Sequence, residues 1–121
     1  MSKFAKRIAP YVKSELEKAD QLQNSGDYAL AFTHLENAHV LGQASTYWHV
    51  KVHILMLRWG IKQNDRHEIF GQLIRIIGAA ALTAIKGVPT GNTGGSNVSP
   101  IAVMPIKPEH EAIITMLEDK P

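Results

Sequence analysis

Four of the six histidines in this chain, His34, His39, His49 and His53, fall within a stretch of twenty residues. Neutral imidazole is a good ligand for zinc, copper, nickel or iron, so such a cluster can hold a divalent transition metal without any cysteine. His49 and His53 are four apart, which on a helix stacks them one turn above each other on one face. Val52, Met56 and Gly60 share that face, so the stripe is expected to point towards a neighbouring helix and not into water. On the preceding segment, Glu36 and His39 have the Glu-x-x-His spacing that ferritin-like di-metal bundles use. Glu36 projects away from the apolar face made by Ala31, Leu35 and Ala38, whereas His34 and His39 flank it. The expected ligand set is therefore His49 and His53, joined by His34 and His39 from the facing helix. The alternative is structural: histidines beside small residues also hydrogen-bond a backbone carbonyl or a buried acid and fix helix registry.

These side chains need helices to position them, and the apolar periodicity predicts an all-α chain. Phe4, Ile8, Tyr11, Val12, Leu16, Ala19 and Leu22 recur at intervals of three and four, the pattern of an amphipathic helix. Pro10 either opens that helix or kinks it. Asn24-Ser25-Gly26 ends it, and Asp27 is placed to cap a second helix from Tyr28 to about Leu41. Gly42 stops the second helix, and Ser45 or Thr46 can cap a third, which runs to about Lys62. Asp65 can cap a fourth from Arg66 to about Lys86. On the fourth helix Ile69, Phe70, Leu73, Ile74, Ile76, Ile77 and Ala80 form a broad apolar surface, the expected mark of a central core element. Glu68, Gln72 and Arg75 lie opposite, as a solvated face or, with Glu36, as groups that orient the histidines and close a polar pocket.

After Lys86 the helical period disappears. Residues 87–108, rich in Gly and Pro, are expected to be extended, and a short helix over 109–118 packs back through Ile113, Ile114 and Leu117. The Gly-rich run GNTGGS reads as a surface loop, with a lid over the histidine face or an arm to a second subunit as the alternatives. Short turns favour antiparallel neighbours, so residues 1–121 are expected to form one domain: two helical hairpins over 1–86 and the appended tail.

Two resemblances follow from these residues. Leu22, Gly26, Asp27, Tyr28, Ala31, Leu35 and Ala38 resemble a tetratricopeptide repeat, in which small residues let two helices approach closely. Gln43 stands where the repeat has its closing proline. A second copy, on Leu57, Asp65, Ile69, Leu73 and Ile76, lacks the small-residue pattern. The strings HLENAHVLGQ, HVKVHILML, GQLIRIIGAA and VPTGNTGGSNVS together resemble a small bacterial family catalogued as domain of unknown function 3703. That resemblance implies no established activity. It does imply an association with heavy-metal resistance genes, which favours metal binding.

Composition narrows the rest. The 45% apolar content suits a globular domain, and the absence of cysteine excludes disulfides, thiolate sites and cysteine nucleophiles. A net charge of +2 is too balanced to point to nucleic acid. The basic N-terminus has no uninterrupted apolar core, and the longest apolar stretch, 74–85, is too short to span a membrane. A cytoplasmic protein is expected, with neither nucleic acid nor membrane as partner. No serine sits in a nucleophile elbow, and Trp48 and Trp59 read as packing anchors. Three functions compete on this reading. The first is a non-enzymatic divalent-metal-binding protein linked to heavy-metal resistance. The second is a tetratricopeptide-like interaction module or homodimer, its partner face involving Tyr47, Trp48 and the tail. The third is an enzyme using the histidines and Glu68.

Overall fold

In a computed structural model the chain is all-helical, with no strand among the described residues. The structure describes residues 2–84, 94–96 and 103–118, the side chains of 79–84 excepted. Most of the Gly/Pro-rich stretch read from the sequence therefore lies outside the described residues.

Helix α1 (Lys3–Asn24) starts at a serine cap, where Ser2 Oγ accepts from Ala5 N at 3.0 Å. Pro10 lies inside α1 on the exposed side and does not open it. Phe4, Ala5, Ile8, Val12 and Ala19 are buried at helical spacing towards α2 (Tyr28–Gly42), whose Leu35, Ala38 and Leu41 join them in the core. Between them Gly26 takes a φ of 86°, a left-handed turn that glycine enters without a Cβ penalty. Asp27 stands at the start of α2, but its side chain makes no capping bond. Its ψ of 70° departs from the extended conformation a capping side chain needs.

Helix α3 (Thr46–Lys62) is capped by Ser45, whose Oγ accepts from Trp48 N at 3.3 Å. Both tryptophans anchor it. The buried Trp48 donates from Nε1 to Ala5 O at 2.8 Å, which fixes α3 to the start of α1. Trp59 donates to Tyr28 O at 2.9 Å and packs on Phe32 with ring centroids 4.6 Å apart. Asp65 Oδ1 accepts from Glu68 N at 3.0 Å and so caps α4 (Arg66–Ala84). Helix α5 (Pro108–Leu117) returns to α1 and α2, where Arg7 Nε donates to Leu117 O at 3.0 Å. The result is two helical hairpins, α1–α2 and α3–α4, joined where α2 meets α3.

One expectation is reversed. Helix α4 turns its apolar stripe outwards: Phe70 is 69%, Ile74 68% and Ile77 77% exposed, with Leu73 half-exposed. Its polar residues Glu68 and Gln72 are buried instead. The physical reason lies in its neighbour. Among the described residues α4 touches no helix but α3, and the side of α3 that it meets carries a buried histidine. Only the polar stripe can hydrogen-bond that surface, and turning the apolar stripe inwards would leave a buried imidazole unmet.

Candidate metal centre

His39 comes from the last turn of α2, while His49 and His53 come from successive turns of α3. All three are buried, and their ring centroids lie 4.8 Å (His39–His49), 4.6 Å (His39–His53) and 4.9 Å (His49–His53) apart. One ring nitrogen of each lies within 4.8 Å of the others. A tetrahedral ion bound at ~2.0–2.1 Å to nitrogen sets its ligands about 3.3 Å from one another, so modest contraction brings this trio into range.

The protons of this site follow from its bonds. Gln72 Nε2 has two acceptors, Glu68 Oε2 at 2.6 Å and Gly94 O at 2.8 Å, so its amide nitrogen faces them. Gln72 Oε1 therefore faces His53 Nδ1 at 2.5 Å and accepts its proton. A neutral His53 then has a bare Nε2, and that atom lies 3.0 Å from His39 Nε2, which donates to it. This is the arrangement of a metal-ligating histidine whose outer nitrogen is held through an amide by a carboxylate. Burial keeps the site neutral: it pushes the His49 imidazole down to about 3, with the neighbouring His53 adding to the effect. His53 is pushed down to about 4 by burial, against the opposing Gln72 bond and with a smaller push from the charge of Arg75.

The site is closed by a short strap, residues 94–96. Ser96 donates from its N–H to Glu68 Oε2 at 3.1 Å and from Oγ to Glu68 Oε1 at 3.1 Å. Gly94 has a φ of 85°, and a Cβ there would stand 2.5–2.7 Å from atoms of the His39 ring. The buried ring is already packed against those of His49 and His53. Gly94→Ala is therefore expected to cost about 1–3 kcal/mol, from overpacking and backbone strain together. Urea unfolding checks this: a stability change under about 0.5 kcal/mol would mean that the strap does not sit on His39.

Of the residues singled out from the sequence, the structure brings His39, His49 and His53 together and stacks Gln72 and Glu68 behind them. His34 is elsewhere: its Nδ1 lies 2.6 Å from Glu15 Oε2. His34 and His39 are five residues apart, which rotates them about 140° from each other, so one faces α1 and the other α3. Glu36 is half-buried on α2 and outside the trio. Arg75 donates to Gly71 O at 3.0 Å and flanks the Glu68 carboxylate. Sequence reasoning named a lid over the histidine face as one alternative, but it did not single out Gly94 or Ser96. Their only marker is glycine where backbone must approach closely.

Fold and site define a small protein of two helical hairpins with a buried three-histidine cluster. The chain belongs to the family described as Protein of unknown function (DUF3703), which it matches over residues 6–114. No curated protein and no solved structure matches it significantly. Among the described residues no helix is long and apolar enough to cross a membrane.

Proposed function

We propose that this protein is a non-enzymatic metal-binding module of the cytoplasm, taking one divalent transition ion on His39, His49 and His53. Zinc, copper, nickel and iron all suit a set of neutral imidazoles, and a role in storing or handling such an ion fits heavy-metal resistance. The observation that carries this reading is the convergence of three buried imidazoles, one ring nitrogen of each within 4.8 Å of the others, with the Gln72 amide held against His53 Nδ1 so that Nε2 is the atom turned to the other rings. A binding role is favoured over catalysis because Gly94 lies against His39, on a side where a catalytic site would keep water. The test is bound metal in untagged protein by mass spectrometry, with a cobalt titration followed by optical absorption. One equivalent per chain is expected; no metal and no cobalt spectrum would overturn the proposal.

Gln72→Leu probes the positioning bond without touching a ligand. It leaves His53 Nδ1 without its acceptor and frees the ring to turn. Affinity is expected to fall ~10–100-fold, the usual cost of losing such an outer partner. Competition with a chromophoric chelator reads it, and unchanged affinity would show that Gln72 does not orient the ring.

A second reading has its own observation. The 3.0 Å bond between His39 and His53 already satisfies two ring nitrogens without an ion. In that case the histidines fix the registry of α2, α3 and α4, and the hairpins serve as an interaction module.

A further inference from the structure

The outward stripe of α4 is large, continuous and unlike any other surface of the described residues. Phe70, Leu73, Ile74 and Ile77 follow one another at i, i+3, i+4 and i+7, a single seam down one side of the helix. On α3, the exposed Ile54 and Ile61 lie about 100° round from His53 and Gly60, the positions that face α4. Helical periodicity thus places them beside the seam, on the side of the hairpin turned away from α2. Apolar patches on monomers span about 300–600 Å², and a standard dimer interface takes about 800 Å² from each partner. Six large side chains exposed by roughly half to three-quarters reach that range.

We propose that this face is the interface of a symmetric homodimer in which two copies of α4 pack antiparallel along the seam. Charge selects that partner and that direction. From Phe70 to Ile77 the seam carries no charge, so two copies can meet without burying an unpaired one. Arg75 lies on the other flank of α4, bonded to Gly71 O. Arg66 stands at the N-terminal end of the helix. In an antiparallel pair each Arg66 meets the C-terminal end of the other α4, where the helix dipole is negative, whereas a parallel pair brings the two cations together. An isologous contact also needs a self-complementary surface, and a uniform apolar stripe is one. The seam lies on the opposite side of α4 from Gln72, so the dimer and the histidine site are independent.

Sedimentation velocity of the full chain from about 1 to about 100 µM tests it. A dimer is expected at the upper concentrations, and the double variant Ile74→Glu, Ile77→Glu is expected to be a monomer with an unchanged far-ultraviolet spectrum. The chain has no cysteine, so single introduced thiols report proximity cleanly. Ile74→Cys, near the midpoint of the seam, is expected to form a disulfide-linked dimer on mild oxidation, while Lys13→Cys on the exposed side of α1 stays monomeric. A wild-type monomer throughout, as cover by another segment of the chain or by a different protein would give, overturns the proposal. So does a dimer that survives the double glutamate variant, or equal cross-linking at both thiols.

Discussion

Alanine at any one of His39, His49 or His53 is expected to weaken metal binding by about 100- to 1000-fold, while His34→Ala leaves it unchanged. The magnitude follows from the binding free energies of about 10–16 kcal/mol seen at zinc sites with four protein ligands, where one ligand accounts for roughly 2.5–4 kcal/mol. His49→Ala with His53→Ala should abolish binding, because one imidazole cannot hold the ion against water. His34 is the informative control. It belongs to the same sequence cluster, but its ring is bonded to Glu15 on the far side of α2. The measurement is a competition titration, paired with the melting temperature with and without ion. A ligand that binds only the folded state raises that temperature by an amount that grows with the logarithm of its affinity. If all four variants bind equally, or His34→Ala is as damaging as His53→Ala, the trio is not the site. If no variant or parent binds an ion and the three alanines lower stability, the histidines are structural.

Local chemistry made the helices legible. Ser45 and Asp65 sit one residue before the helices they cap, and Gly26 marks the turn it makes, because caps and left-handed turns depend on side chains a few residues away. Rotation about a helix axis is a different matter. Periodicity shows that α4 has an apolar and a polar stripe, but not which one faces its neighbour. Burial normally follows the apolar stripe. Here His53 of α3 requires an acceptor, and Gln72 with Glu68 behind it supplies one, at the cost of leaving Phe70, Ile74 and Ile77 in water. The same uncertainty separated His39 from His34: both flank the apolar face of α2, and only packing against α3 decides which joins the pair. Gly94 and Ser96 were out of reach for another reason. They lie 22 and 28 residues from the partners they bond, Gln72 and Glu68, and no period connects a loop to a helix. A polar stripe opposite an apolar one, with a histidine pair on the preceding helix, was a reason to weigh both orientations.

Acid should destabilise the metal-free protein steeply well before it protonates ordinary carboxylates. His49 and His53 are held neutral in the fold, down to about 3 and about 4 respectively, by burial above all. In the unfolded chain the same rings take up protons near pH 6.5. Below that pH the unfolded state therefore binds more protons than the folded one, and stability falls as pH falls. The contribution is complete above about pH 6.5 and is lost progressively towards the folded values. From about pH 7 to about pH 5 the loss is on the order of 2 kcal/mol for each ring, or about 4 kcal/mol for the pair. His110, also pushed down by burial, acts in the same direction. Against a typical total of ~5–15 kcal/mol, that removes roughly a quarter to most of the stability. Urea unfolding at intervals across this range gives the slope directly. Replacing His49 and His53 by leucine should flatten it, because leucine takes no proton in either state. A bound ion should shift the loss to lower pH, since protons must then displace the metal before they reach the rings. A parent protein whose stability is the same at about pH 7 and about pH 5 would show that these rings take up protons as readily in the fold as in the unfolded chain, and that the cluster is open to water.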